Sequence, residues 1–430
     1  MTKIAFIGAG SFGFTRKLVK DVLTFPLLEG AEIALMDINT ERLDYIKRAC
    51  ERIVAEGGYP ATVSATTDRA EALKDADAVI CTILAGGVDI WKYDITIPKK
   101  YGVDINVGDT RGPAGVFRAL RTIPVMLDYC RVMEQVAPEV LLINYANPMA
   151  MLTGAILKGT SVRTVGLCHS VQACASHLCH MLDLPTDDLV WQVAGINHQG
   201  WLLSVSRHGE DLYPEIKRRA ELPENRPKDT VRFELMKRFS YYVTESSEHS
   251  SEYTPWFIKS RAPELIEQFN IPLDEYPRRC VEQIEGWKRM REELLSDTSI
   301  NHVRGHEYAS YILEAIETNK PFTFGGNVLN KGLITNLPAD CCVEVMCVAD
   351  GNGVIPTFVG DLPPQCAALN RTNVNVQELT IEAALTGKRE HVYQAALLDP
   401  HTAAELTIDE TVALCDDLFE AHRDWLPEYH

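Results

Sequence analysis

The 430-residue sequence lacks the features that mark several common classes of protein. It has no apolar run near the roughly 20 residues that a membrane-spanning helix needs. It also has no basic block, and 60 acidic against 42 basic residues give a net charge of -18, which repels nucleic acid and anionic membranes. Met1 to Lys3 lead directly into a predicted strand, without the pattern of an export signal. We therefore expect a cytoplasmic protein that binds neither nucleic acid nor membranes.

The cysteines lack the spacing of a disulfide framework or of a structural zinc site. Twelve cysteines are scattered over the chain, several of them inside apolar runs, and none forms a C-x-x-C pair. We expect most of them to be reduced, buried and small hydrophobic side chains.

Short β-rich apolar runs alternate with helical patterns over the first 170 residues. Helices are predicted through Leu18 to Leu23 and from Thr40 to about Glu56, and the strand-like runs are KIAFIG, EIALMD, TVSATT, AVICTI, VLLINYAN and TVGLCH. This alternation predicts an α/β fold with a Rossmann-like, doubly wound parallel sheet. Because the chain exceeds the size of one such core, a second lobe is expected.

The pattern changes after about Ala173. QVAGINHQGWLLSVSRHG predicts strands, residues 212–228 are polar and contain proline, and helices are predicted over Thr230 to Phe239 and Asp274 to Leu295. CCVEVMCVADGNGVIPTFVG predicts an antiparallel hairpin that turns at Asp350 to Gly353, and about the last 60 residues look helical. We therefore divide the chain into a Rossmann-like domain, residues 1–170, and an appended α+β lobe, residues 171–430, as in the lactate and malate dehydrogenases.

A glycine pattern directly follows the first predicted strand and opens a helix. Asp37 follows at the end of the second strand, 24 residues after Gly13. Such glycines let the backbone approach a pyrophosphate at a helix N-terminus, while the acidic residue bonds the adenosine ribose, which favours NAD over NADP. The predicted cofactor-binding residues are Gly8, Gly10, Ser11, Phe12, Gly13 and Asp37.

A thiol and an imidazole stand side by side at the end of another predicted strand. Cys168 and His169 lie at the carboxyl edge, where open α/β sheets bind ligands. His198, in GINHQGW, is a second candidate metal ligand, although spacing alone does not pair it with Cys168. Two protein ligands would leave most positions of an octahedral ion to substrate oxygens and water, which suits a Lewis acid.

Seven motifs, spread in order over nearly the whole chain, give it a family resemblance. It resembles the NAD- and manganese-dependent glycosidases of glycoside hydrolase family four in GAGSFG, NVGDTRGPAGVFRALRTIP, NYANPMA, VGLCHSVQ, GINHQGW, TESSEHSSEYTPWF and DPHTAA. The Cys-His-Ser form of the fourth motif resembles the subgroup that acts on unphosphorylated α-galactosides. The resemblance implies an NAD-binding domain over 1–170, a metal, substrate and oligomerisation domain over 171–430, and a homodimer or homotetramer.

The resemblance also implies an unusual route for hydrolysing terminal α-D-galactosides. NAD takes a hydride from C3 of the sugar, which acidifies the proton on C2. A metal on Cys168 and His198, Mn²⁺ or another divalent ion, holds the C2 and C3 oxygens while the glycosidic oxygen leaves C1. Water then adds and the hydride returns, so no pair of catalytic carboxylates is required.

The remaining site residues are carried over position by position. The resemblance implies that Asn147 contacts sugar hydroxyls and that Asp109 lies near the metal and the base. His169 stands where phospho-sugar members carry Asp or Asn. We predict that it contacts substrate, and its near-neutral intrinsic pKa makes it a candidate for the leaving-group acid, a role that the sequence leaves open. The base is predicted within SYYVTESSEHSSEYTPWF, where Tyr242 or Glu245 is favoured among Tyr241, Tyr242, Glu245, Glu248 and His249.

Three alternatives remain open. Within the family, the chain could be an α-glucosidase or a uronide-type α-glycosidase, because the sequence does not display the contacts that select a sugar epimer. An NAD-dependent dehydrogenase of the lactate or malate kind would share the nucleotide domain, but its catalytic histidine in a GxHG-like turn is not found. A non-catalytic NAD sensor would leave Cys168 and His198 without a role.

Overall fold

The elements below come from a computed structural model, which describes residues 2–294 and 300–430. The strands are β1 (Lys3–Ile7), β2 (Glu32–Met36), β3 (Thr62–Thr66), β4 (Ala78–Cys81), β5 (Leu141–Asn144), β6 (Arg163–Gly166), β7 (Leu189–Ile196), β8 (Gln199–Arg207), β9 (Glu210–Asp211), β10 (Tyr242–Val243), β11 (Phe322–Leu329), β12 (Cys342–Asp350) and β13 (Gly353–Pro356). The α-helices are α1 (Phe12–Leu23), α2 (Thr40–Gly57), α3 (Arg69–Leu73), α4 (Gly87–Lys100), α5 (Gly112–Val136), α6 (Met149–Gly159), α7 (His169–Met181), α8 (Tyr213–Ala220), α9 (Thr230–Phe239), α10 (Ser247–Glu252), α11 (Glu264–Gln268), α12 (Glu275–Leu294), α13 (Tyr308–Thr318), α14 (Pro364–Thr386), α15 (Arg389–Leu398), α16 (Pro400–Glu405) and α17 (Ile408–His422).

The first six strands form the parallel part of the sheet. Their order is β3-β2-β1-β4-β5-β6, and each neighbouring pair is parallel. This is the strand order of dinucleotide-binding folds. Both faces are buried: Ile4 and Phe6 of β1 join one hydrophobic cluster, and Ala5 and Ile7 join another. The predicted Rossmann-like, doubly wound sheet is confirmed.

Strands of the second half continue the same sheet in antiparallel fashion. β11 pairs with β6 through Asn327 and Gly166, and β12, β7, β8 and β10 follow outward in that order. Helix α14 packs against α5 and α6, and α17 packs against α4. The α+β lobe is therefore attached to the parallel half by sheet hydrogen bonds as well as by helix packing.

Most local predictions agree with the structure. The Asn39 side chain accepts a hydrogen bond from the Arg42 N–H at 3.0 Å, which caps the predicted start of α2. The predicted hairpin is β12–β13, with Asp350 paired to Gly353. The helix predicted from Asp274 is α12, and its predicted last residue, Leu295, lies outside the described residues.

The polar segment 212–228, for which the sequence pattern predicted no element, contains the helix α8. A proline in the first turn suits a helix start, and Glu215 pairs with Arg219 one turn later at 2.7 Å. The twelve cysteines are all unpaired and buried. Among the described residues, no helix has the length and apolar character needed to cross a membrane.

Candidate active site

The glycine turn leads from β1 into the N-terminus of α1. Gly8 has φ +77°, and a Cβ there would come within 3.0 Å of the backbone of Thr82 and Ile83, so only glycine fits. A Cβ at Gly13 would meet nothing within 4 Å, so this side of the helix N-terminus is open. Ser11 caps α1 without a side-chain hydrogen bond. The first N–H groups of α1 can therefore face an anion.

Asp37 reaches this turn from the end of β2. Its carboxylate accepts hydrogen bonds from the backbone N–H of Gly10 at 2.7 Å and of Asn39 at 2.8 Å. A Cβ at Gly10 would lie 2.7 Å from the same carboxylate, so the contact depends on glycine. Phe12 begins α1, and its side chain lies outside the described part of the structure. The turn and Asp37 thus lie together, as a nucleotide site requires.

The predicted metal ligands also meet. Cys168 follows β6 and occupies the N-cap position of α7, and His198 lies in the tight turn between β7 and β8 with φ +61°. One ligand atom each of Cys168, His198 and Glu245 lies within 4.8 Å of the others, and the same is true of Asp109, His198 and His249. His198 therefore belongs to two adjacent groups of side chains of the types that bind metals, and we call these residues together the His198 cluster.

The donor atoms of Cys168 and His198 fit a divalent transition metal. The Nδ1 of His198 is buried and has no hydrogen-bond partner in the described structure. Burial and the charge of His249 lower the pKa of His198 to about 4, so the imidazole is neutral and able to bind a metal. Burial and nearby carboxylates raise the pKa of the Cys168 thiol far above its usual value, so a metal must displace its proton. Thiolate and imidazole ligands favour such metals over Ca²⁺ or Mg²⁺.

His249 bridges two carboxylates of the cluster. Its Nδ1 lies 3.5 Å from Glu245 and its Nε2 lies 3.5 Å from Asp109. Burial disfavours the imidazolium, but the charges of Glu245 and Asp109 raise the pKa of His249 to about 9. Although burial also opposes ionisation of Asp109, His249 holds its pKa well below the usual range. Asn147 donates to the second oxygen of Asp109 at 3.1 Å, so the predicted sugar-binding residue adjoins the cluster.

His169 lies between the glycine turn and the cluster. It is the first residue of α7, directly after Cys168, and its ring centroid lies 5.8 Å from that of Phe14, which directly follows Gly13. Its Nε2 lies 2.7 Å from a carboxylate oxygen of Glu307, and its side chain is 57% exposed. The predicted nucleotide and metal sites are therefore neighbours, with His169 between them.

The two predicted bases lie in different surroundings. Tyr242 is buried, its hydroxyl donates to the carboxylate of Asp229, and the Arg232 guanidinium lies 4.7 Å from its ring centroid. Burial raises the pKa of Tyr242 well above its usual value. Glu245 belongs to the cluster, and although burial opposes ionisation, the charge of His249 lowers its pKa. Only Glu245 of these two is an ionised acceptor facing the predicted metal ligands.

Sequence reasoning did not single out Tyr253 or Arg111. Tyr253 is buried, its hydroxyl has no hydrogen-bond partner in the described structure, and its ring centroid lies 6.2 Å from that of His198. The Arg111 guanidinium lies 4.6 Å from the Tyr253 ring centroid and donates to Asp399 at 2.8 Å. Tyr253, Arg111 and Asp399 all lie within the motifs that carry the family resemblance. That location was the signal in the sequence that could have identified them.

Comparison with known proteins gives consistent matches along the chain. Residues 3–184 match the family 4 glycosyl hydrolase model, and residues 193–402 match the model of the family 4 glycosyl hydrolase C-terminal domain. The chain is 53% identical to an alpha-galactosidase of Bacillus subtilis (strain 168) over 100% of both chains. It is 38% identical to an alpha-galactosidase of Rhizobium meliloti (strain 1021), over 99% of this chain and 89% of that one. A crystal structure of a 6-phospho-alpha-glucosidase from gut microorganisms, in complex with NAD and Mn²⁺, shares the fold with a TM-score of 0.85 at 24% identity, over 100% of both chains.

Proposed function

The chain belongs to family 4 of the glycosyl hydrolases, and from this premise we propose that it hydrolyses terminal α-D-galactosides with the help of NAD and a divalent metal, Mn²⁺ or a similar ion. The observation that carries the proposal is the meeting of the two sites at His169, which follows Cys168 in the chain and lies 5.8 Å from Phe14 after the glycine turn. The choice of galactose is supported by the two relatives named as alpha-galactosidases.

The chain supplies separate binding groups for the two cofactors. When bound, NAD would accept and later return the hydride at C3, and the metal would polarise the oxygens at C2 and C3. The open N-terminus of α1 would bind the pyrophosphate, and Asp37 the ribose. Cys168 and His198 would hold the metal, which the unpartnered Nδ1 of His198 and the negative charge of the carboxylates favour.

The protein side chains would then move two protons. We assign removal of the C2 proton to Glu245, because it is an ionised acceptor within the His198 cluster, whereas the Tyr242 hydroxyl is bound to Asp229. Tyr253 is a second candidate acceptor, since its buried hydroxyl is unpartnered beside His198. We assign protonation of the leaving oxygen to His169, which is the exposed imidazole next to Cys168.

Asn147 and Asp109 would orient the sugar. The amide of Asn147 is held at 3.1 Å by Asp109, which in turn is fixed by Thr110 at 2.8 Å and by His249. Such a chain of hydrogen bonds keeps both side chains in one rotamer, so that a hydroxyl of the substrate meets preorganised polar groups.

A panel of p-nitrophenyl glycosides tests the proposal. Purified protein with NAD and Mn²⁺ should release nitrophenol from the α-galactoside and leave no lasting NADH absorbance. The α-glucoside, the α-galacturonide and the 6-phosphorylated analogues should react more slowly. Preference for one of these would favour another activity of the same family, and steady NADH production without nitrophenol would indicate a net dehydrogenase. Protein treated with a chelator and stripped of nucleotide should be inactive until both are restored.

We also propose that residues 1–170 bind NAD, that residues 171–430 supply metal, substrate and subunit contacts, and that the enzyme works in the cytoplasm as a homodimer or homotetramer. The family resemblance supports the assembly and the division of labour. Light scattering during size-exclusion chromatography would measure the molar mass of the assembly and hence the number of subunits.

A further inference from the structure

The first residues of α13 contact the first residues of the α7 region. The hydroxyl of Tyr308 donates to the backbone carbonyl of Cys168 at 2.7 Å, and a carboxylate oxygen of Glu307 lies 2.7 Å from Nε2 of His169. Two adjacent residues at the start of α13 therefore bind two adjacent residues at the start of α7. The segment that contains them, GHEY, lies outside the motifs that predicted the site.

Glu307 is turned away from its own helix. It occupies the N-cap position of α13 but makes no side-chain hydrogen bond to the helix N–H groups. Its side chain is only 16% exposed, although that of His169 is 57% exposed. The carboxylate is thus directed to the imidazole and gives up the capping interaction that this position offers.

Aromatic rings restrict the imidazole of His169 on its other sides. The ring centroids of Phe14, Tyr145 and Tyr308 lie 5.8, 5.5 and 6.3 Å from the His169 centroid, and the planes of Phe14 and Tyr308 are both at 89° to it. Rotation of the imidazole by half a turn would put Cε1 in the place of Nε2 and so break the bond with Glu307. More than half of the His169 side chain is still exposed, so a substrate can reach it.

The bond with Glu307 also fixes which nitrogen can exchange a proton. A carboxylate only accepts, so Nε2 keeps its hydrogen in both the neutral and the protonated imidazole. Nδ1 makes no hydrogen bond to any other residue that the structure describes. We propose that Glu307 is a positioning residue, which holds His169 so that Nδ1 carries the proton given to the glycosidic oxygen. This inference rests on the proposed function, in which His169 is the leaving-group acid.

In the proposed step, one proton moves from Nδ1 of His169 to the glycosidic oxygen. The Nδ1–H bond breaks and its proton forms the new O–H bond of the aglycone, while the electron pair of the C1–O bond goes to the leaving oxygen. The electron pair left on C2 by removal of its proton forms the double bond between C1 and C2. The imidazole is then neutral, with hydrogen on Nε2 and a free lone pair on Nδ1. That lone pair can take a proton from the water that later adds to C1, which restores the acid.

The dependence of rate on the leaving group tests the role of Glu307. Glu307→Gln should lower kcat for methyl α-galactoside by about tenfold to hundredfold but leave kcat for p-nitrophenyl α-galactoside within about twofold, because a good leaving group needs little acid assistance. NAD and Mn²⁺ titrations should be unchanged, and Glu307→Asp should recover part of the lost activity. Tyr308→Phe is the matched control, because it removes the neighbouring bond to Cys168 but leaves the pair of Glu307 and His169 intact; it should not select between the two substrates.

A double variant separates action through His169 from a general structural effect. In a His169→Ala background, Glu307→Gln should cause no further loss. Equal losses for both substrates, or a further loss in that background, would overturn the proposal. If His169→Ala itself does not distinguish the two substrates, the role of His169 in the proposed function fails instead.

The tautomer provides a readout that does not depend on activity. With ¹⁵N-labelled histidine and no added Mn²⁺, the His169 shifts should indicate hydrogen on Nε2 in the wild-type protein and a mixture of tautomers in Glu307→Gln. Identical shifts in the two proteins would overturn the positioning role, whatever glycoside the enzyme hydrolyses.

Discussion

The carboxylate of Asp37 accepts a hydrogen bond from the backbone N–H of Gly10 at 2.7 Å. Asp37 therefore closes the glycine turn besides facing the predicted ribose site. We expect Asp37→Ala to raise the NAD concentration needed for half-maximal activity about tenfold to hundredfold, the loss typical of a hydrogen bond to a charged group. Melting without NAD should show a small decrease in Tm, because the turn loses its acceptor. An unchanged NAD titration would argue against this site.

Removal of the thiol should weaken metal binding. Cys168→Ser replaces a thiolate ligand by a hydroxyl that stays protonated at neutral pH, so the affinity for Mn²⁺ should fall at least about tenfold. His198→Ala should have a similar effect, and calorimetric titration measures both. Cys174→Ala is the matched control, because Cys174 is a buried cysteine of the same helix outside the His198 cluster. Wild-type Mn²⁺ binding in the first two variants would exclude this ligand pair.

The hydrogen on C2 of the released sugar identifies the route and the base. Galactose formed in D₂O should carry deuterium at C2 and keep hydrogen at C3, which NMR resolves. Glu245→Gln should lower turnover about hundredfold or more if Glu245 is the base, and Tyr242→Phe should remain active because the Tyr242 hydroxyl is bound to Asp229. If Tyr253→Phe loses the exchange while Glu245→Gln keeps it, Tyr253 is the base.

A buried carboxyl on β12 should make stability depend on pH. Glu344 is fully buried, accepts a hydrogen bond from Asn327 at 2.8 Å, and has a pKa that burial raises to about 8. Because the folded state binds this proton more tightly than the unfolded chain, stability falls as pH rises from about 4.5 to 8. Glu344→Gln needs no proton, so its Tm should exceed that of the wild type by several degrees at pH 8 and by little at pH 4.5. A difference in Tm that does not vary with pH would contradict this.

Local patterns were sufficient for the parallel half of the fold. Alternating strands and helices predicted the sheet, and Gly8 to Gly13 with Asp37 predicted the turn, because these features depend on residues close in sequence. The meeting of Cys168 with His198 depends on how the turn after β7 packs against the start of α7. Only the family resemblance supplied that pairing.

The base and the partner of His169 needed the structure. Tyr242 and Glu245 are three residues apart, but β10 directs Tyr242 into a hydrophobic cluster, whereas Glu245, at φ +72°, joins the His198 cluster. A helical or strand period cannot predict this change of direction at a single residue. Glu307 is 138 residues from His169, and its segment carries no local pattern for the contact.

The pairing of β11 with β6 has a mechanical consequence. In an enzyme whose two lobes are joined only by a linker, the lobes can undergo hinge closure. The relative position of cofactor and substrate then changes during each cycle. Here β6, the strand that leads to Cys168, pairs with β11 of the second half through Asn327. The nucleotide turn and the His198 cluster are therefore attached to one continuous sheet. A reaction in which NAD removes a hydride from C3 and later returns it needs the nicotinamide and the sugar to be aligned in the same way during both transfers. We expect the shared sheet to keep the nucleotide turn and the His198 cluster in the same relative position throughout the cycle.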